Sequence, residues 1–150
     1  ISQYKYHKRE FLAKPLGDLL IDNLLCQGII SEIDVIVPVP IHWKKKLKRG
    51  FNQSELIAKR ISRGLNIPIS VKNLSYKKNT LSQTQLSRTE RQRNVAGAFV
   101  VRKPKIFSKK QILLIDDVLT TGITASECAR ILSNAGTKKV FLLALARAKL

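Results

Sequence analysis

Two adjacent carboxylates, Asp116 and Asp117, follow the apolar run Ile112-Leu113-Leu114-Ile115, and Thr120, Thr121, Gly122, Ile123 and Thr124 come just after them. A turn rich in threonine and glycine that opens a helix offers free backbone N–H groups, hydroxyls and a partial positive charge, which together make a phosphate site. Gly122 lets the backbone approach its ligand closely. The carboxylates would repel a phosphate, so they need other work: accepting hydrogen bonds from two vicinal hydroxyls, or holding Mg²⁺ indirectly. Phosphate and diol side by side describe a ribose 5-phosphate. A merely structural strand–turn–helix would use the same Asp and Thr as caps, but two acids at the end of an apolar strand would then be a poorly explained cost.

The elements around this segment must present it at one end of a sheet. Residues 9–27 predict a helix with Phe11, Leu12, Leu16, Leu19, Leu20, Leu24 and Leu25 at helical spacing and Gly28 as its stop. Residues 33–39 predict a buried strand halted by Pro38 and Pro40. The run Lys44-Lys45-Lys46-Leu47-Lys48-Arg49 predicts a solvated loop, followed by a helix capped by Asn52 or Ser54 and running to Leu65. Ile67, Ile69 and Val71 alternate and predict a strand over 67–75. Residues 77–88 predict a mobile loop, and Ser87 with Glu90 a capping box for a short helix. Further expectations are a strand at 98–101, a basic surface turn at 102–110, a buried strand at 111–115, a helix from Thr124 to Ala135 and a last buried strand at 139–146. Strands and helices alternate, which predicts one α/β domain with a mostly parallel sheet flanked by helices.

Composition narrows the partners. The chain has 150 residues, enough for one core, and its 44% hydrophobic content excludes a disordered chain. No apolar run reaches membrane-spanning length, so no membrane insertion is expected. The 28 Lys and Arg stand against 10 Asp and Glu, a net charge of +18. A field of that size implies a polyanion partner: nucleic acid, a polyphosphate ligand or an anionic membrane surface. Cys26 and Cys128 have no neighbour at zinc-ligand spacing and read as buried free thiols. The chain contains no Met, which suggests a fragment of a longer protein.

Residues 113–124 resemble the phosphoribosyl diphosphate (PRPP) motif of type I phosphoribosyltransferases. Four further segments resemble the competence protein F (ComF) branch: Val37-Pro38-Val39-Pro40, Arg49-Gly50-Phe51-Asn52-Gln53, Thr80 with Gln83, and Arg91 with Asn94, Val95, Gly97 and Phe99. The resemblance implies a type I phosphoribosyltransferase-like fold with a flexible loop or hood at 77–88. It implies Asp116 and Asp117 facing the ribose hydroxyls as catalytic residues, and Thr120 to Thr124 around the 5-phosphate. It also implies a pyrophosphate loop at Pro40, Ile41 and His42, with Arg49 nearby, and Mg²⁺ arriving with PRPP. ComF-type proteins commonly carry a Cys-rich zinc module before this domain, absent here, and are associated with DNA uptake in natural transformation, other competence proteins and the cytoplasm. Thr120 stands where enzymes for 6-oxopurines carry an acid, so hypoxanthine or guanine salvage is disfavoured.

A second class of function fits the same sequence. The phosphate site could be a sensor or relic while the basic surface holds single-stranded DNA. Lys44, Lys45, Lys46 and Lys48, Arg88, Arg91, Arg93 and the 102–110 cluster are the candidate backbone contacts, with Trp43, Phe51 and Tyr76 as candidate stacking residues.

Overall fold

A computed structural model describes residues 2–77 and 95–148, with side chains from residue 13 onward. Its main sheet has three parallel strands in the order β1 (Val35–Pro38), β4 (Gln111–Leu119) and β5 (Lys139–Arg147). Val35 aligns with Ile112 and Pro38 with Ile115, and on the other side Asp116 aligns with Ala144. A separate antiparallel ribbon pairs β2 (Leu74–Tyr76) with β3 (Phe99–Val101). Among the described residues there are four α-helices: α1 (Ser2–Gln27), α2 (Trp43–Arg49), α3 (Gln53–Leu65) and α4 (Ile123–Asn134). This is the expected α/β class.

The two-residue period of a strand explains how one sheet serves two cores. In β4, Leu113 and Ile115 face α1 and α3, where they pack with Ile36, Leu24, Ile57 and Ile61. Ile112 and Leu114 face the other way, against Val35, Val37, Phe99, Phe107, Cys128 and Leu132. The centre of β4 is therefore buried on both faces and reads as a continuous apolar run. Each fully buried Leu or Ile contributes about 1.5–3 kcal/mol. Among the described residues, no helix is long and apolar enough to cross a membrane.

Several expectations need correction. The basic run at 44–49 is the helix α2 rather than a loop. The His42 side chain caps it by accepting from the Lys44 N–H at 3.2 Å, and Gly50 closes it at φ +81° with its N–H on the Lys46 carbonyl. Lys46, Lys48 and Arg49 in the last turn meet the negative end of its dipole. No continuous strand forms over 67–75. Ile69 makes a single parallel bridge to Ile36, because Pro68 has no N–H for the ladder, and β2 begins only at Leu74. Strand β4 does not end at Ile115; its pairing with β5 carries it through both acids to Leu119. Strand β5 lies at the sheet's edge and is half-exposed rather than buried.

In α1, which starts at Ser2 rather than residue 9 and accommodates Pro15, Leu19 and Leu25 are exposed, not inward. Cys26 on the same helix is exposed too, while Cys128 is buried as expected. The loop 77–88 beyond Lys77, the capping box at Ser87, and Arg88, Arg91 and Arg93 lie outside the described residues.

Candidate functional site

The carboxyl of Asp116 is buried where β4 leaves the core, with the residue only 8% exposed. Its Oδ1 accepts from the Asp117 N–H at 2.9 Å and from the Ser54 hydroxyl at 3.4 Å. Burial pushes its pKa up to about 6; the Asp117 N–H pulls it down and the Asp117 charge pushes it up again. Asp117 is half-exposed, and its Oδ1 accepts from the Val118 N–H at 2.9 Å. One carboxyl is thus held inside and one faces outward, both short of the donors a carboxylate can satisfy. The buried carboxyl of Asp116 costs stability when charged, whereas water reaches Asp117.

The next residues have the geometry that an anion site would use. Gly122 takes φ +73°, a left-handed conformation that glycine adopts without strain, and turns the chain into α4. No side chain caps α4, so its first N–H groups remain available to a ligand. Thr120 and Thr121 are exposed, while Gly122, Ile123 and Thr124 are half-buried. A hollow of about 30 Å³ lies among Asp116, Leu119, Thr120, Gly122 and Thr124. Beside it, a cleft of about 280 Å³ opens between Thr121, Ile123 and Glu127 of this segment and Val95 and Ala96.

Glu127 was not singled out by the sequence, and the structure gives it a clear task. Its Oε1 accepts from the Gly97 N–H at 2.7 Å, and both its oxygens take Arg130, each at 2.8 Å. The Arg130 guanidinium and the Gly97 N–H hold its carboxyl down at about 2. This ties the segment entering β3 to α4. Only the i, i+3 spacing of Glu127 and Arg130 was legible in advance. Ser54 was expected as a cap; its hydroxyl is turned instead to Asp116, 62 residues away in sequence.

The turn after β1 opens at the same end of the sheet, because β1 and β4 are parallel neighbours. Pro40, Ile41 and His42 are half-buried there. Asn52 sits at the cap position of α3 but does not cap it; its Nδ2 donates 3.0 Å to the Val39 carbonyl and so fixes this turn. The His42 ring packs against Trp43 at 5.8 Å and Tyr76 at 5.4 Å, and Tyr76 meets Phe99 at 4.4 Å. Burial raises the Tyr76 hydroxyl to about 12, as expected for a packing residue rather than a proton donor. Trp43 is 48% exposed, with the Lys44 ammonium 5.6 Å from its ring centre. Lys44, Lys45, Lys46, Lys48 and Arg49 are all exposed; Lys46 lies 3.7 Å from Glu55, and the other four have no ion pair among the described residues. Among the described residues, no three His, Cys, Asp or Glu side chains gather to hold a metal.

Comparison with known proteins agrees with this geometry. The model of the phosphoribosyl transferase domain family matches residues 47–149. Competence protein F of Haemophilus influenzae is 34% identical over 99% of this chain and 66% of its own length. The DNA utilization protein YhgH of Escherichia coli K12 is 32% identical over 98% of this chain and 65% of its own. The chain therefore spans about two-thirds of the length of these relatives. Among solved structures, the glutamine PRPP amidotransferase from B. subtilis aligns with 93% of this chain and 26% of its own at a TM-score of 0.58 and 20% identity. Adenine phosphoribosyltransferase from Saccharomyces cerevisiae aligns with 88% of this chain and 68% of its own at 0.57 and 15%. At those identities the structures attest to the fold alone. The chain belongs to the phosphoribosyl transferase domain family, on its competence protein F branch.

Proposed function

We propose that this domain binds PRPP, or a closely related ribose phosphate, at the end of β4, in a protein linked to competence for DNA uptake. The observation that carries the proposal is the juxtaposition of two under-satisfied carboxyls with an uncapped helix N-terminus, joined by the left-handed Gly122. Asp116 and Asp117 accept from the ribose hydroxyls. The N–H groups and hydroxyls of Thr120, Thr121, Gly122, Ile123 and Thr124 take the 5-phosphate. The turn at Pro40, Ile41 and His42 lies where the pyrophosphate would sit, and Arg49 with the lysines of α2 neutralises its charge.

Mg²⁺ fits this donor set as an ion carried by the diphosphate, with Asp116 or Asp117 as its protein contacts directly or through water, because Mg²⁺ commonly uses one or two carboxylates plus substrate phosphates. Bound there, it would neutralise the leaving pyrophosphate. In a transfer reaction the C1–O bond to pyrophosphate breaks and a nitrogen nucleophile bonds to C1. The protein contributes orientation and charge compensation rather than covalent chemistry. Thr120 presents a hydroxyl where an acid would be needed to meet a 6-oxopurine.

Calorimetry with PRPP and Mg²⁺ tests the proposal. Binding by the wild-type domain that disappears in Asp116→Ala/Asp117→Ala, with the fold intact by circular dichroism, is the expected result. Absence of wild-type binding would sink it. A second reading rests on charge: the net charge of +18 exceeds what one bound ribose phosphate would neutralise, which favours an additional role in holding nucleic acid.

A further inference from the structure

Two groups of exposed basic residues lie near opposite ends of the sheet, apart from others spread over the surface such as Lys14, Arg63 and Arg130. One group, on α2, flanks the phosphate cradle. The other lies where the strands begin, at the opposite end of β4. Here Lys103 and Lys105 sit on the turn after β3, Lys109 and Lys110 lead into β4, and Lys138 and Lys139 lead into β5. All six are exposed, against two carboxylates: Asp34, 3.7 Å from Lys110, and Glu32, 3.2 Å from Lys139. Lys103, Lys105, Lys109 and Lys138 make no ion pair among the described residues.

The backbone beneath these lysines is fixed. Buried Asn73 clamps Lys103 by accepting from its N–H at 2.7 Å and donating to its carbonyl at 3.0 Å. The Lys109 N–H donates to the Gly136 carbonyl and the Lys138 N–H to the Lys110 carbonyl, which locks the two strand entries together. Lys109 is held at φ +58°, a conformation that favours glycine or asparagine. Four unpaired ammonium groups stand on a locked backbone, so on binding only their side chains remain to be ordered. The apolar side chain exposed here is Ile106, an aliphatic residue with nothing to stack on a base.

We propose that this end of the sheet, around Lys103, Lys105, Lys109 and Lys138, docks the phosphodiester backbone of nucleic acid without reading sequence, independently of the phosphate cradle. It rests on the nucleic-acid reading above and assigns that role a surface other than α2. With about four phosphates neutralised, log affinity for a single strand falls with log salt at a slope near −3, roughly a 50-fold loss between 50 and 200 mM.

Fluorescence anisotropy of a labelled twenty-nucleotide oligothymidylate with the whole chain tests it. Lys103→Glu/Lys105→Glu/Lys109→Glu/Lys138→Glu is expected to bind at least tenfold more weakly, while Lys44→Glu/Lys45→Glu/Lys48→Glu stays within threefold of wild type and millimolar PRPP displaces nothing. Lys109→Gly, which relieves the left-handed backbone, is expected to weaken binding without losing thermal stability. If the α2 variant loses as much as the strand-entry variant, or PRPP displaces the strand, this surface is the wrong one while nucleic-acid binding stands. If the wild-type chain binds no oligonucleotide at 150 mM salt, the nucleic-acid reading falls with it.

Discussion

Burying Asp116 should make the folded domain pay for its site at neutral pH, in an amount that can be measured. Burial raises its carboxyl from 3.8 to about 6. Well below pH 4 the carboxyl holds its proton in both the folded and the unfolded chain, and there is no penalty. Above pH 6 the folded chain must keep a carboxylate out of water that the unfolded chain hydrates freely. Stability is therefore lost as pH rises from about 4 to 6, and the full gap corresponds to roughly 3 kcal/mol. Asp116→Asn removes the charge and keeps an oxygen that can still accept from the Asp117 N–H and the Ser54 hydroxyl. The variant should be up to about 3 kcal/mol more stable at pH 7, a rise in Tm of about 6–12 °C for a chain of this size. At pH 4 the advantage should shrink to less than about 1 kcal/mol. Urea unfolding of both proteins at pH 4, 5, 6 and 7 reads this directly, because carboxyls that do not interact with Asp116 cancel in the difference and only its coupling to Asp117 stays within it. An equal advantage at pH 4 and 7, or none at pH 7, would refute the claim that a buried charge at this position is the cost.

Other perturbations follow from the same structure. Asn52→Ala leaves the buried Val39 carbonyl without its donor and should cost about 1–3 kcal/mol in urea unfolding, with weaker PRPP binding because the turn at Pro40 to His42 is freed. Gly17→Ala, where α1 crosses α3, presses a methyl group against Arg60 Cβ, which cannot swing aside, and should lower stability by about 1–2 kcal/mol after the helix propensity that Ala adds, with PRPP affinity unchanged. Exposed Cys26 should react with a chromogenic disulfide reagent at once, while buried Cys128, whose thiol burial pushes far up, should react only in denaturant, giving one fast thiol of two.

The strand, turn and helix that carry the candidate site were more legible in the sequence than their surroundings. The apolar run ahead of Asp116, and the Thr and Gly after Asp117, were legible because each residue type has few other uses in that order. Element boundaries near the site were less so. The end of β4 at Leu119 depends on pairing with β5, a partner more than twenty residues away that no local pattern announces. The basic run on α2 looks like a loop when only charge is counted; its helix depends on a histidine cap and a left-handed glycine, neither of which repeats periodically. Exposure of Leu19, Leu25 and β5 was illegible for a related reason: helical or strand spacing marks which residues share a face, and tertiary packing decides how far that face is covered. The tie between Glu127 and Gly97 joins residues 30 apart through one N–H, a contact without any sequence signature.

The central claim is that a ribose 5-phosphate group sits on the N-terminus of α4. Phosphorus NMR of PRPP with Mg²⁺ tests it, titrating the wild-type domain and then Gly122→Val. The added side chain finds open space but is strained at φ +73° and crowds the approach of a phosphate. The account predicts that the wild type shifts and broadens the 5-phosphate resonance, and that the variant, still folded, leaves that resonance unmoved. A wild-type titration that perturbs only the diphosphate resonances, or a variant that shifts the 5-phosphate as far as the wild type does, would contradict it.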